Sequence, residues 1–148
     1  MPTLGDMPEA EFVEHGRRAV EWIAEYLAHP ERYPVLAQTE PGAVRNALPA
    51  RPPRTGAPME AILGDIDRAI IPGITHWNHP SFFAYFAITG SAPGILGELL
   101  TAALNVNGML WKTSPAATEL EEVVMDWLRQ MLGLPEGLPL RVRSLPLL

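Results

Sequence analysis

Apolar and polar positions alternate with helical spacing over most of this chain, and the exception is a stretch that is almost uncharged. From Asp6 to His29, Phe12, Val20, Ile23 and Leu27 form one apolar stripe among Glu11, Glu14, Arg17, Arg18, Glu21 and Glu25. That spacing predicts a helix, with Asp6 and Glu9 spaced as a capping box and Pro30 as its stop. A short helix is expected at Ala43 to Leu48. The proline-rich run Pro49 to Pro58 cannot be helical, because proline lacks the N–H donor and biases the preceding residue to extended geometry. It reads as a semi-rigid strap. Ile62, Leu63, Ile66 and Ile70 predict a further helix from about Met59 to Ile70, stopped by Pro72-Gly73.

Ser91-Ala92-Pro93 opens another helix, with Ile95, Leu96, Leu99, Leu100, Ala103 and Leu104 on a broad apolar face and Asn105 to Gly108 as its end. Ser114-Pro115 opens the clearest one. Leu120, Val123, Val124, Trp127, Leu128 and Met131 recur at i, i+3, i+4, i+7, i+8 and i+11, with Gly133 placed to terminate it. No internal repeat is present.

Between these helices lies the informative anomaly. The 43 residues from Ala69 to Trp111 contain one charged side chain, Glu98, and six of the eleven aromatics. Five of the six fall between Trp77 and Phe86. So many uncharged residues exposed together would form an adhesive patch, so the segment is expected to be covered by protein, as the wall of a pocket or an interface. Spacing alone favours a plain aromatic core. Were the run from Phe82 extended, alternation would send Phe82, Ala84 and Phe86 to one side and Phe83 and Tyr85 to the other. Prolines, glycines and histidines interrupt the stretch within one bilayer thickness, which argues against a membrane span.

Composition narrows the setting. A chain of 148 residues with 47% hydrophobic content fits one globular domain. Net charge −6 and a pI near 5.1 argue against nucleic-acid or anionic-membrane partners. No cysteine is present, so disulfides and thiolate metal sites are excluded, and a cytoplasmic setting is the default. The first residues lack the basic and apolar regions of a signal peptide.

Candidate chemistry is sparse. His76 and His79 sit three apart but beside Pro80, without a third ligand nearby, so hydrogen bonding in a pocket is the simpler role and no metal site is assigned. Thr89 to Gly94 leads into a helix N-terminus, where simple capping is the simpler reading than anion binding. Lys112 is the only lysine. Any Schiff-base mechanism within this chain would need it, yet its surroundings read as solvated. No Ser-His-Asp order, paired catalytic carboxylates or Gly-Lys phosphate loop occurs.

Several segments together resemble the amino-terminal part of the pyridoxal-phosphate-dependent aromatic-L-amino-acid decarboxylases. They are Ile71-Pro72-Gly73-Ile74-Thr75-His76-Trp77, Pro80 with Phe82 to Phe86, Trp111 with Ser114-Pro115-Ala116, Thr118 to Glu121, and Met125 to Leu128. The likeness runs from about Met7 to Pro135. It implies a mostly α chain forming the N-terminal helical segment of a fold type I α/β enzyme, truncated before the cofactor domain. Residues 1–90 would be the dimerisation and pocket-lining segment, 91–135 the first helices of the large pyridoxal-phosphate domain, and 136–148 a divergent, unstructured tail consistent with a shifted reading frame.

The resemblance further implies that Trp77, Tyr85 and Phe86 help form the slot for an aromatic L-amino acid, and that a hydroxyl contact to the substrate is either lost at Ala87-Ile88 or taken over by Thr89. The Asn107 to Met109 turn would reach into the other subunit of a homodimer. Ala87-Ile88 stands where animal members carry Pro-Thr, and Met109 replaces an aromatic. Pyridoxal phosphate is the implied cofactor, but the Schiff-base lysine, the aspartate for the pyridine nitrogen, the stacking histidine and the phosphate loop have no match here. The chain is therefore expected to contain no catalytic or cofactor-binding residue and to be inert by itself. The alternative is a helical module that complements a separate cofactor-binding chain.

Overall fold

In the computed structural model, residues 3–4, 7–86, 88 and 90–136 are described, and they are predominantly helical. The chain divides into two compact units, Met1–Thr89 and Gly90–Leu148.

The first unit opens with a small antiparallel ladder, β1 (Thr3–Leu4) on β2 (Met7–Pro8), in which Thr3 faces Pro8 and Leu4 faces Met7. Helix α1 follows over Glu9–Ala28. Its start corrects the expectation of a helix from Asp6: Met7 and Pro8 are extended, and Pro8 at the N-cap makes no side-chain capping bond. Proline's fixed φ suits this extended entry, whereas Asp6 lies outside the described residues. Glu9 and Glu11 in the first turn complement the helix dipole. After α1, a 3₁₀ turn at Pro30–Arg32 redirects the chain.

Helix α2 (Ala43–Ala47) starts from Gly42 at φ 96°, a left-handed conformation that glycine takes without steric cost. The proline strap after it is exposed and free of helix, as its composition requires. Helix α3 (Met59–Asp65) then runs directly into a π-helical turn, Ile66–Ile70, and a 3₁₀ turn, Ile71–Gly73. The expected single helix from Met59 to Ile70 is thus broken into two winding states. The wider turn brings Ala69 inside, the one hydrophobic side chain that the described residues bury. Arg68 holds Asp65 at 2.6 Å and donates to the Ala47 carbonyl at 3.1 Å, tying this turn to α2. Arg18 bridges Glu14 on its own helix and Glu60 on α3. These carboxylates are exposed, so the pairs set register more than stability.

The second unit holds α4 (Ala92–Leu104) and α5 (Pro115–Met131). Both begin as the sequence requires, with Ser91 accepting from the Gly94 N–H and Ser114 from the Ala117 N–H, each followed by proline in the first turn. Helix α4 ends at Asn105, φ 47°, in the left-handed region that asparagine tolerates. Helix α5 ends in a Schellman motif: Gly133 is at φ 64°, Leu134 N–H donates to Arg129 O, and Gly133 N–H donates to Gln130 O. Residues 137–148, where the divergent tail was expected, lie outside the described residues.

Neither unit covers its apolar faces. On α4, Leu96, Leu99, Leu100 and Leu104 are half or more exposed, and on α5 the predicted stripe, including Trp127, is likewise open. No helix among the described residues is long and apolar enough to cross a membrane.

Gly73 provides a local check on the first unit, because a Cβ there would lie 2.5 Å from Val44 Cγ2. Val44 is β-branched and stiff, so Gly73→Ala should cost about 1–3 kcal/mol by overpacking. Faster amide exchange across the Ile66–Gly73 turns is the expected signal, largely reversed by adding Val44→Ala.

Candidate functional site

The aromatic segment is built from successive tight turns. His76 N–H donates to Val35 O at 3.0 Å, His79 N–H to His76 O at 3.0 Å, and Phe82 N–H to His79 O at 2.9 Å. The His79 ring closes its own turn by accepting the Ser81 N–H at Nδ1, 2.9 Å away. These turns replace the extended run that the alternation argument assumed. Phe82 to Phe86 form no strand, and Tyr85 has φ 57°, so the two-sided partition of the rings does not hold. A tyrosine in the left-handed region carries a backbone cost on the order of 1 kcal/mol, an arrangement found more often at functional sites than elsewhere.

Nor do these rings make a core in this chain. Phe83, Tyr85 and Phe86 are 92%, 85% and 99% exposed, against 46% for Trp77. The turns nevertheless gather part of the set. Trp77 lies 4.8 Å from the Phe82 ring and stacks on Tyr85 at 5.7 Å with planes 22° apart. Phe86 stacks on no ring among the described residues. Thr89, the proposed hydroxyl contact, and Ala87 lie outside the described residues.

Asn107 and Met109 belong to the second unit and share one turn. The Asn107 Oδ1 accepts the Met109 N–H at 2.9 Å, an Asx turn, and the Thr113 hydroxyl donates to Asn107 O at 2.8 Å. That pins the turn to the start of α5 and leaves the Met109 side chain 73% exposed.

Beneath Trp77 is a polar contact that spacing alone does not reveal. His76 is 1% exposed, its Nδ1 lies 2.9 Å from the Tyr26 hydroxyl, and its ring stacks on Tyr33 at 4.7 Å. Burial pushes the His76 imidazole below its ordinary range, against a smaller opposing influence of the Ile71 backbone, while His79 adds repulsion. Burial pushes the Tyr26 phenol upward. Tyr26 lies three residues beyond Ile23 on α1; that position, opposite a histidine in an uncharged segment, is the signal that could have found the pair.

Two concavities lie elsewhere. One in the first unit, about 410 Å³, is lined by Met7, Phe12, His15, Gly16, Ala19, Met59 and Leu63. Another in the second, about 650 Å³, is lined by Trp111, Glu119, Glu122, Val123, Asp126 and Trp127. Neither includes a predicted site residue. In the latter, Glu119 accepts from Trp111 Nε1 at 2.8 Å, and Arg129 and Gln130 hold the Asp126 carboxyl below the usual carboxylate range. Its acids are thus partly engaged already. Among the described residues no group of three metal-ligating side chains converges.

The comparison with known proteins decides the family. A model described as the pyridoxal-dependent decarboxylase conserved domain matches residues 41–140. The chain belongs to this family.

Among its relatives within the pyridoxal-dependent decarboxylases is a phenylacetaldehyde synthase of a Rosa hybrid cultivar, 49% identical over 127 residues. Tyrosine/DOPA decarboxylase 2 of Papaver somniferum is 48% identical over the same length. The matches take in 86% of this chain but 25% and 24% of those proteins. The crystal structure of Catharanthus roseus tryptophan decarboxylase in complex with L-tryptophan superposes with TM-score 0.81 at 46% identity, covering 88% of this chain and 28% of that one. The chain thus spans about a quarter of the length of the relatives it matches, in their N-terminal part.

Pyridoxal phosphate belongs to this family's chemistry and is present in the structure of Oryza sativa TDC with PLP. Lys112 is exposed on a turn and lines neither of the two concavities described, and Ser91 at the α4 N-terminus accepts the Gly94 N–H while keeping its own O–H donor.

The ring geometry has a spectroscopic consequence. Trp77→Ala and Tyr85→Ala should each remove the same near-ultraviolet circular dichroism band, with a coupling of about 0.5–1.5 kcal/mol in a double-mutant cycle. Phe86→Ala should leave that band in place.

Proposed function

We propose that this chain is the helical, pocket-lining part of an aromatic amino-acid decarboxylase, which seats the substrate's ring and forms part of a homodimer interface in the cytoplasm. The carrying observation is the exposed aromatic strip: Trp77 stacked on Tyr85, with Tyr85 and Phe86 almost wholly exposed. Side chains this apolar are stable in solvent only when another surface covers them. A flat substrate ring suits the stacked pair, because offset aromatic stacking adds to burial without requiring a charge.

Trp77, Tyr85 and Phe86 are assigned to the ring slot, with Thr89 offering a hydroxyl. Asn107 and Met109 are assigned to a turn that reaches into the other subunit's slot. On this reading residues 1–90 clasp the partner and line the pocket, 91–135 begin the large domain, and 136–148 stand apart. Relatives include proteins named as decarboxylases and as an aldehyde synthase. The task proposed for this chain, seating an aromatic ring, is common to either outcome.

The chain by itself is proposed to be inactive. In this family pyridoxal phosphate supplies the electron sink for the carbanion left by the departing carboxylate. What supports the reading is that Lys112, the single lysine of the sequence, stands exposed on a turn. The same open helix faces favour a second reading, a dimerisation module that works with a separate cofactor-binding chain.

Adding pyridoxal phosphate to the 148-residue chain should give no absorbance band of a lysine-bound cofactor and no carbon dioxide from aromatic amino acids. A band that disappears with Lys112→Ala, together with turnover, would overturn the proposed inactivity. Light scattering supplies a second check. At about 25 cal/mol per Å², the open stripes forgo several kcal/mol, a large part of a domain's stability margin. Self-association or loose packing is the expected result, and a monomer with a sharp cooperative melt is the contrary one.

A further inference from the structure

We propose that Tyr26 and His76 form a latch that positions the Trp77 turn against α1, making His76 a positioning residue that serves as the neutral imidazole. His76 and Trp77 are consecutive yet face opposite environments, the first 1% exposed and the second 46%. The buried ring is therefore an anchor for a wall residue. Its backbone is held as well, by the N–H bond to Val35 O and by the carbonyl that accepts from His79 N–H.

The anchorage continues into α1. Trp22 stacks flat on Tyr26 at 5.5 Å and donates its indole N–H to Asp67 Oδ1 at 2.9 Å, on the π-helical turn. Tyr26 reaches His76 Nδ1, and Tyr33 covers the imidazole face. From Trp77 the contact passes to Phe82 and Tyr85. One polar bond, Tyr26 to His76, thus joins α1 to the aromatic strip.

The groups around the imidazole explain why it works uncharged. Tyr26 faces it from α1, Tyr33 from the segment after the 3₁₀ turn, the Ile71 backbone from the turn before it, and His79 from its own turn. No described carboxylate forms a salt bridge with it. Protonation would place a charge among aromatic rings with no counter-ion, so the folded state binds that proton less readily than the unfolded chain. The latch is at full strength above the ordinary imidazole range, about pH 6.5, and is lost as pH falls through the lower folded value. Tyr26 stays protonated throughout, as burial also disfavours its phenolate.

That Trp77 belongs to a substrate slot rests on the decarboxylase reading; the latch itself does not. Incorporation of 5-fluorotryptophan gives a reporter at each of the four tryptophans, and Trp77→Phe identifies the relevant ¹⁹F resonance. Lowering the pH from about 8 through the imidazole range should move the Trp77 resonance in one step while those of Trp111 and Trp127 stay in place. Tyr26→Phe should displace the Trp77 resonance already at the starting pH. A Trp77 resonance that does not titrate would overturn the proposal. So would all four resonances collapsing together with the helical circular dichroism, since His76 would then be a general prop. The wild-type titration decides even if Tyr26→Phe does not fold. A titrating Trp77 beside a positive cofactor test leaves the latch standing and removes the proposed inactivity alone, so the two failures are distinguishable.

Discussion

A shortage of buried apolar surface governs this chain. Ala69 is the only hydrophobic side chain enclosed by the described residues, although nearly half of the sequence is hydrophobic. Both units have well-formed helices; α4 and α5 carry serine N-caps, whereas α1, α2 and α3 start without a side-chain capping bond. What is missing is the opposite wall. Amphipathic helices gain most of their stability by packing an apolar face, and here those faces are made without a surface to receive them. The chain belongs to the pyridoxal-dependent decarboxylases and spans about a quarter of the length of the relatives it matches.

Within that frame polar contacts take on an unusual share of the ordering. Tyr26 with His76, Trp22 with Asp67, and Arg68 with Asp65 and the Ala47 carbonyl connect elements that few buried apolar side chains join. The most enclosed of them sits directly behind the residue proposed to face substrate. A hydrogen bond shielded from solvent is directional as well as stabilising, so it can fix where a loop stands even when little apolar area is buried.

The helices were legible in the sequence because their signals are local. Ser91 and Ser114 cap where expected, and Gly133 closes α5, since a hydroxyl oxygen and a glycine act within one turn. The misses have equally physical origins. The apolar spacing over Ile62 to Ile70 fits one helix, but spacing cannot distinguish α from π winding, and the break at Ile66 depends on how Ala69 is enclosed. Asp6 matched a capping pattern, yet Pro8 makes the actual entry. For the candidate site, the rings were visible as a cluster, whereas their turns and the Tyr26 contact, fifty residues away, required three dimensions. The roles of Asn107 and Met109 came from family likeness; their shared Asx turn came from structure.

The left-handed backbone at Tyr85 restricts which residues can stand at this corner of the aromatic strip. Asparagine or glycine could occupy that position at little conformational expense, while valine, isoleucine or threonine would crowd their branched Cβ against the chain itself. Substitution is thereby steered away from β-branched residues at Tyr85 and toward neighbours whose φ is ordinary, leaving this corner of the aromatic strip its least adaptable position.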